Sequence, residues 1–180
     1  MGSRIAALGH YQPSRILTND DLAQMVDTND EWIRDRVGIV SRRISEGESV
    51  ADMATYAAEK ALAASGLNAS DIDMVIVATC SAEDRCPNMA TRVARRLGIP
   101  APAAYDLNTA CSGFSYALAN ADHAISAGAA RNAIVIGAVV SRQGPVEVTA
   151  HGAGTLAEWL AHKDDPVAPG QPLARIGGSL

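Results

Sequence analysis

Apolar residues along the chain fall into short continuous runs that are separated by longer stretches at helical spacing. The run over residues 73–79, DMVIVAT, is typical of a strand that is covered on both faces. Residues 103–108 and 132–140 are also apolar and predict two more buried strands. A shorter run over residues 4–8, followed by Gly9, predicts a first strand.

Between these strands, apolar residues recur every three or four positions and predict helices. Ser49 followed by Asp52 resembles a capping box that opens a long helix, and Gly66 offers its end. The predicted inward stripe of this helix is Met53, Ala57, Ala61 and Ala64. So many alanines imply close approach to a neighbouring element. The other predicted helices are a short one capped by Asn19 or Asp20 and three over residues 30–36, 89–97 and 113–127. Strands that alternate with helices of these lengths predict an α/β fold with a largely parallel sheet.

Small residues join the strand at 103–108 to the helix at 113–127, and Cys111 is one of them. The inward face of that helix is predicted to consist of Phe114, Leu118, Ala121 and Ile125. The first turn of a helix has unpaired N–H groups and the positive end of the helix dipole, which favour a thiolate over a thiol. Cys111 is therefore a candidate nucleophile at the sheet edge where ligands bind. The alternative is that it is a small buried hydrophobe, as free cysteines usually are.

The residues after Arg142 differ in character, with Gly, Asp and Pro in place of periodic apolar residues. We predict one domain over residues 1–142 and a divergent Gly/Pro-rich segment over residues 143–180. Within that segment, residues 154–162 predict a short helix with Trp159 as its apolar anchor. The remainder predicts a poorly ordered tail.

Charge and composition narrow the classes of function. The net charge of −5 and the lack of a basic block argue against a nucleic-acid surface, and aromatic residues make up only 4% of the chain. Three cysteines without a CxxC pair support neither a disulfide framework nor a zinc site. We find no apolar run of membrane-spanning length and no signal peptide, so we expect a cytoplasmic protein without a membrane partner.

Four segments, in order and at matching spacing, carry a resemblance to a known family. They are ALGHYQPSRILTNDDL at 7–22, DTNDEWIRDRVGIVSRRI at 27–44, VIVATCSAEDRCPNMA at 75–90 and DLNTACSGFSYAL at 106–118. Together they resemble the first half of a β-ketoacyl-ACP synthase III, of the thiolase-like superfamily. The resemblance implies a thiolase-like half, with a mostly parallel sheet, helices on its faces and a buried central helix that bears the cysteine.

The family's activity is the initiation of fatty-acid or polyketide chains. The resemblance implies that Cys111 attacks the thioester of an acyl-CoA primer and that its backbone N–H is one oxyanion-hole donor. The acyl-enzyme would then condense with malonyl-ACP with loss of CO₂. It also implies a homodimer with no permanently bound cofactor, because acyl-CoA is a substrate.

Further site residues follow from the same resemblance. Trp32 and Arg36 match positions of the family's CoA-adenine contacts, and Thr28 lies beside them; the alternative is an ordinary surface helix. Cys86 matches a residue that reaches across the dimer toward the other subunit's acyl pocket. A cysteine is small for this position, which suggests a roomier pocket for longer or branched primers. The alternative is a loop residue without a role in the pocket.

The family's catalytic His and Asn belong to its second half, and this chain lacks their motifs. We assign none of its histidines to catalysis; they are His10, His123, His151 and His162. From about Gly137 the sequence departs from the family pattern, as a frameshifted or truncated reading frame would. Besides the acyltransferase, two hypotheses stay open: a catalytically incomplete, truncated subunit that binds CoA or a partner chain, and a generic α/β binding domain with an incidental cysteine.

Overall fold

A computed structural model describes residues 3–138 and the backbone of residues 155–159 and 174–177. The described residues divide into two compact units. The first unit contains residues 3–15 and 43–138, and the second contains residues 16–42 and the two later strands.

Helices and strands of both units alternate along the chain. In chain order they are β1 (Arg15–Thr18), α1 (Asn19–Ala23), α2 (Asp30–Val37), β2 (Ser41–Ile44), α3 (Val50–Ser65), β3 (Met74–Ala78), α4 (Met89–Arg96), β4 (Ala103–Leu107), α5 (Gly113–Ser126), β5 (Ala133–Gly137), β6 (Thr155–Trp159) and β7 (Ala174–Gly177). Short 3₁₀ turns lie at Ala69–Asp71 and Ala110–Ser112.

The first unit is organised around a parallel sheet with the strand order β4-β3-β5. Ile76 in the middle of β3 faces Tyr105 on one side and Val135 on the other. All five residues of β3 are buried, as the continuous apolar run predicts for a covered strand. The predicted α/β class and the largely parallel sheet are confirmed.

Alternate residues of β3 point into two different apolar layers. Val75 and Val77 pack in one cluster with buried residues of α3 and α4, whereas Ile76 packs in another with Ala117 and Ala121 of α5. Helices therefore cover both faces of the sheet, because its central strand has no polar face to leave in water.

Helix α3 begins and ends as its sequence predicts. The Ser49 side chain accepts a hydrogen bond from the Asp52 N–H at 3.1 Å, and the Asp52 carboxylate accepts one from the Ser49 N–H at 2.8 Å. Gly66 ends the helix with φ of +73°, a left-handed conformation that glycine adopts without strain.

The predicted inward stripe of α3 is wrong by about one residue position. The buried residues of α3 are Val50, Ala51, Ala54, Thr55 and Ala58. Ala57 and Ala61 lie against Gly9 instead, where an added Cβ would come within 2.2 Å of the Ala57 carbonyl oxygen. The prediction of close approach at these alanines is therefore right, but they contact an N-terminal segment and not the sheet.

The N-terminal elements also differ from the prediction. Residues 4–8 form no strand; Ile5 and Leu8 stay 67% and 76% exposed, and the described sheet of the first unit takes no fourth strand. The first strand is β1, which pairs with β2 in a two-stranded sheet. The cap of α1 is Thr18, which forms a capping box with Asp21.

The predicted helix at residues 154–162 is wrong, because Thr155–Trp159 is a strand that pairs antiparallel with Ala174–Gly177. So short a helix is costly to nucleate, whereas a partner strand supplies backbone hydrogen bonds directly. The predicted poorly ordered tail is also wrong at Ala174–Gly177, because these residues form the second strand of that pair. The rest of residues 143–180 and the boundary predicted at 142 lie outside the described residues. Among the described residues, no helix has both the length and the apolar character needed to cross a bilayer.

Candidate functional site

Cys111 lies in the turn that connects β4 to α5, at the carboxyl end of the parallel strands. The turn is the 3₁₀ segment Ala110–Ser112, and α5 begins at Gly113. The Cys111 side chain is exposed and forms no disulfide. The predicted strand, turn and helix are therefore confirmed, and the alternative of a buried hydrophobic cysteine is wrong for the described residues. The prediction that this strand is buried is wrong, because Ala103 is exposed and the other residues of β4 are only partly buried.

The backbone of this turn is tightly bent immediately before the thiol. Ala110 has φ of +47°, a left-handed conformation that is unfavourable for a residue with a Cβ. The Thr109 carbonyl holds the bend by accepting hydrogen bonds from the Ser112 N–H at 3.2 Å and from its hydroxyl at 3.0 Å. Strained residues of this kind cluster at functional sites, since only a well-fixed surrounding structure maintains them.

The start of α5 is pressed against the central strand. A Cβ placed on Gly113 would lie 3.1 Å from the Ala78 Cβ, which is tighter than an ordinary van der Waals contact. The buried residues of α5 are Gly113, Ala117 and Ala121, all small. Phe114 is 45% exposed, so the prediction that it faces inward is wrong. The expectation of a buried central helix is corrected as well, since α5 is buried along one face only and its cysteine is exposed.

One carboxylate joins the approach to Cys111 to a neighbouring helix. Asp106 of β4 accepts hydrogen bonds from the N–H groups of Met89 and Ala90, at 2.9 and 2.8 Å. These are amide groups of the first turn of α4, which have no partner within the helix. Strand β4 and the beginning of α4 are thus fixed to each other by one side chain.

Cys86 lies in the loop between β3 and α4, and its side chain is exposed. Its peptide bond to Pro87 is cis. In the same loop Glu83 and Asp84 both pair with Arg92 of α4, the first at 3.1 Å. The structure of one chain does not test a role for Cys86 across a dimer, so that role stays a prediction.

The three residues predicted to contact CoA lie on or next to α2, in the second unit, at intervals of four residues. The Asn29 side chain caps α2 by accepting a hydrogen bond from the Trp32 N–H at 2.8 Å. Trp32 is 52% exposed, and the guanidinium carbon of Arg36 lies 4.7 Å from its ring centroid. This is a cation–π pair on an accessible helix surface. Thr28 directly precedes the cap, and its hydroxyl oxygen is buried without a hydrogen-bond partner among the described residues.

Asn19 is a buried residue of the second unit whose role the sequence does not reveal. Its side-chain N–H groups donate to an oxygen of Asp30 and to the carbonyl of Ile39, both at 2.7 Å. The other oxygen of Asp30 accepts from the Arg34 guanidinium at 2.7 Å. The Arg34 hydrogen bond, and after it that of Asn19, lowers the pKa of Asp30 from its ordinary value. Position 19 looks like a candidate helix cap in the sequence, and no local signal distinguishes a buried amide from an exposed one.

Comparison with known proteins agrees with this architecture. The family model for 3-oxoacyl-[acyl-carrier-protein (ACP)] synthase III matches residues 105–143. A beta-ketoacyl-[acyl-carrier-protein] synthase III from Streptomyces avermitilis is 64% identical over 138 residues, 76% of this chain and 44% of the relative. One from Streptomyces coelicolor matches at the same identity and coverage. Among solved structures, the 3-oxoacyl-[acyl-carrier-protein] synthase III of Aquifex aeolicus VF5 has a TM-score of 0.75 at 44% identity, covering 77% of this chain and 45% of its own.

The chain spans less than half the length of the curated relatives that it matches. The family model, which begins at Tyr105, includes the turn at Cys111 and the whole of α5. Over about three quarters of its length, this chain thus corresponds to the N-terminal half of a β-ketoacyl-ACP synthase III, of the thiolase-like superfamily.

Proposed function

We propose that this chain carries the acyl-accepting part of an acyltransferase that initiates fatty-acid or polyketide chains. The observation that carries the proposal is the exposed thiol of Cys111 at the strained turn before α5, in the segment that the synthase III family model matches. The Sγ of Cys111, as a thiolate, attacks the carbonyl carbon of an acyl-CoA. The bond from that carbon to the CoA sulfur then breaks, and CoA leaves as its thiolate, so that one thioester replaces another without an oxidant or reductant.

The start of α5 supports this step electrostatically. The tetrahedral intermediate places negative charge on the former carbonyl oxygen, and the backbone N–H of Cys111 is proposed as one donor to it. One such donor is typically worth about 3 kcal/mol in the transition state. The positive end of the α5 dipole favours negative charge on the reacting oxygen for the same reason.

Thr28, Trp32 and Arg36 are proposed to bind the CoA portion of the substrate. The exposed indole offers a flat apolar surface to the adenine, and the Arg36 guanidinium beside it suits a phosphate. Thr28 is proposed to border the ligand because it directly precedes the cap of the helix that presents Trp32 and Arg36. CoA enters as a substrate, and no permanently bound cofactor is proposed.

The second step is proposed to be decarboxylative condensation with malonyl-ACP in a homodimer. It requires a His and an Asn that the resemblance assigns to a second half, outside the matched residues. In the dimer, Cys86 would border the acyl pocket of the other subunit, and its small side chain would admit longer or branched primers.

The three free cysteines fit the cytoplasm, a reducing compartment, as the location of this chemistry.

The first step is testable by intact-protein mass spectrometry after incubation with an acyl-CoA. We expect one acyl mass on the wild-type chain, full loss of it in Cys111→Ala, and retention in the matched control Cys80→Ala, since the side chains of Cys80 and Cys111 are both exposed. In the same assay with acyl-CoAs of graded length, Cys86→Phe should disfavour the longer primers.

An adduct that persists in Cys111→Ala would contradict the proposal. A folded wild-type chain without any adduct would support the second candidate, a truncated subunit that binds CoA or a partner chain. The observation in favour of that candidate is the coverage of only 44% of the Streptomyces relatives.

A further inference from the structure

Asn19 is a deeply buried polar residue of the second unit, at 1% exposure. Both bonds from its amide nitrogen go to groups that only accept hydrogen bonds, the Asp30 carboxylate and the Ile39 carbonyl. Exchanging the amide nitrogen and oxygen would lose both bonds, so the orientation of this side chain is determined. The two bonds are short, and their donor is almost fully buried, so their loss would leave a buried amide without partners, which is costly.

These two hydrogen bonds lie at opposite ends of α2. Asp30 is the first residue of the helix, and Ile39 follows Gly38, which ends it with φ of +71°. A single amide therefore ties both ends of an eight-residue helix to the start of α1. Because Ile33 is the only buried residue of α2, a helix that the structure describes in full, apolar packing holds it weakly. The polar bonds contribute much of its fixed position.

We infer that Asn19 is a positioning residue for CoA recognition: by holding both ends of α2, it fixes the orientation in which Trp32 and Arg36 meet the nucleotide end of acyl-CoA. This inference rests on the proposed function. Asn19 does not touch the substrate itself, since its side chain is buried and its nitrogen is fully used. Loss of Asn19 should therefore change the reaction only with acyl donors that contain a nucleotide, such as acyl-CoA.

The test compares two acyl donors on the full chain. Acyl-CoA possesses the adenine nucleotide, whereas acyl-pantetheine has the same thioester without it. For Asn19→Ala we expect the concentration of acyl-CoA that gives half-maximal acylation of Cys111 to rise about tenfold to a hundredfold, the scale that follows from a displacement of about 1 Å. The maximal acylation rate, and the reaction with acyl-pantetheine, should change less than about twofold, because the thiol and its turn are untouched.

Two further variants keep the test decisive if Asn19→Ala folds poorly. Asp30→Ala removes one of the same hydrogen bonds from a side chain that is 41% exposed, so it opens no cavity. It should reproduce the selective loss with acyl-CoA. The double variant N19D/D30N reverses donor and acceptor between the two residues, but it places a carboxylate oxygen against the Ile39 carbonyl, where two acceptors repel each other, so it should not recover the affinity.

The matched control is Asn132→Ala in the first unit, which also loses an amide donation to a backbone carbonyl, that of Asp71 at 2.9 Å. It should leave both donors unaffected. An equal loss with both donors, or no loss with either, would overturn the inference while leaving the proposed function standing. A folded wild-type chain that forms no acyl adduct and binds no CoA would overturn both.

Discussion

The two regions that contain the predicted site residues are held in place by different forces. The turn at Cys111 leads into α5, and the small buried residues of α5 pack against β3. All five residues of β3 are buried. Helix α2 has one buried residue, and its position depends on a capping asparagine and on hydrogen bonds from Asn19. One region is fixed by apolar burial and the other by polar bonds.

The two regions should therefore lose stability in different ways when residues are substituted. Removing a buried side chain from a packed sheet costs several kcal/mol and acts on the whole unit. Losing one capping or tethering hydrogen bond costs about 1 kcal/mol and loosens one helix. We therefore expect changes around the sheet to cause global unfolding, and changes around α2 to reduce affinity for a ligand in a protein that remains folded.

The largest effect is expected from Ile76→Ala, at a central position of β3 with 0% exposure. The substitution should lower the free energy of unfolding by about 2–5 kcal/mol, because it removes buried apolar atoms and leaves a cavity. Urea unfolding followed by circular dichroism measures this change. The matched variant Ile76→Val should cost about 0.5–1.5 kcal/mol. A loss below about 1 kcal/mol for Ile76→Ala would mean that packing does not dominate this region.

An intermediate effect is expected from Asn29→Ala, which removes the cap of α2. The cost should be about 1 kcal/mol, and it should appear locally as faster amide hydrogen exchange in α2 with no change in β3. Asn88→Ala is the matched control in the first unit, since Asn88 caps α4 through the Thr91 N–H at the same 2.8 Å. It should speed exchange in α4 and, because Asn88 also donates to the Ala104 carbonyl at 3.2 Å, next to that position in β4, with no change in α2. Faster exchange in β3 after Asn29→Ala would contradict the separation of the two regions.

The smallest effect is expected from acid. Because its pKa is lowered in the folded chain, Asp30 contributes stability that is fully present above its ordinary pKa of 3.8 and is lost as the pH falls through the lower folded value. The midpoint temperature of thermal unfolding should therefore fall more steeply with decreasing pH below 3.8 for the wild-type chain than for Asp30→Asn. Parallel curves for the two proteins in that window would mean that the Asp30 charge does not help to hold α2.

Much of the first unit is predictable because its signals are local and strong. A continuous apolar run such as residues 74–78 must be covered on both faces whatever surrounds it, and a capping box such as Ser49 with Asp52 needs no distant partner. The turn at Cys111 is also predictable, since only small residues fit between a strand and a helix so closely joined. The left-handed φ of Ala110 is not, because alanine has no preference for it.

The features that the sequence does not reveal depend on distant partners. Asn19 resembles a cap until Ile39, 20 residues later, is seen to accept its hydrogen bond. The alanines of α3 are alike in hydrophobicity, so the contact with Gly9 decides which of them face the sheet. In both cases the chain's own neighbours in space, and not its local pattern, determine which side chain is buried.

The carboxylate of Asp106 has a practical consequence for exchanging the loop that contains Cys86. The loop with Cys86 begins where β3 ends and finishes where α4 starts, and Asp106 anchors that second attachment to the strand leading to the nucleophile. Glu83 within the loop contacts both neighbouring helices as well, because it pairs with Arg92 of α4 and accepts a hydrogen bond from the Ala51 N–H of α3 at 3.2 Å. An exchange of residues 80–86 that retains Glu83 and Asp84 should therefore leave the strand that leads to the Cys111 sulfur in place.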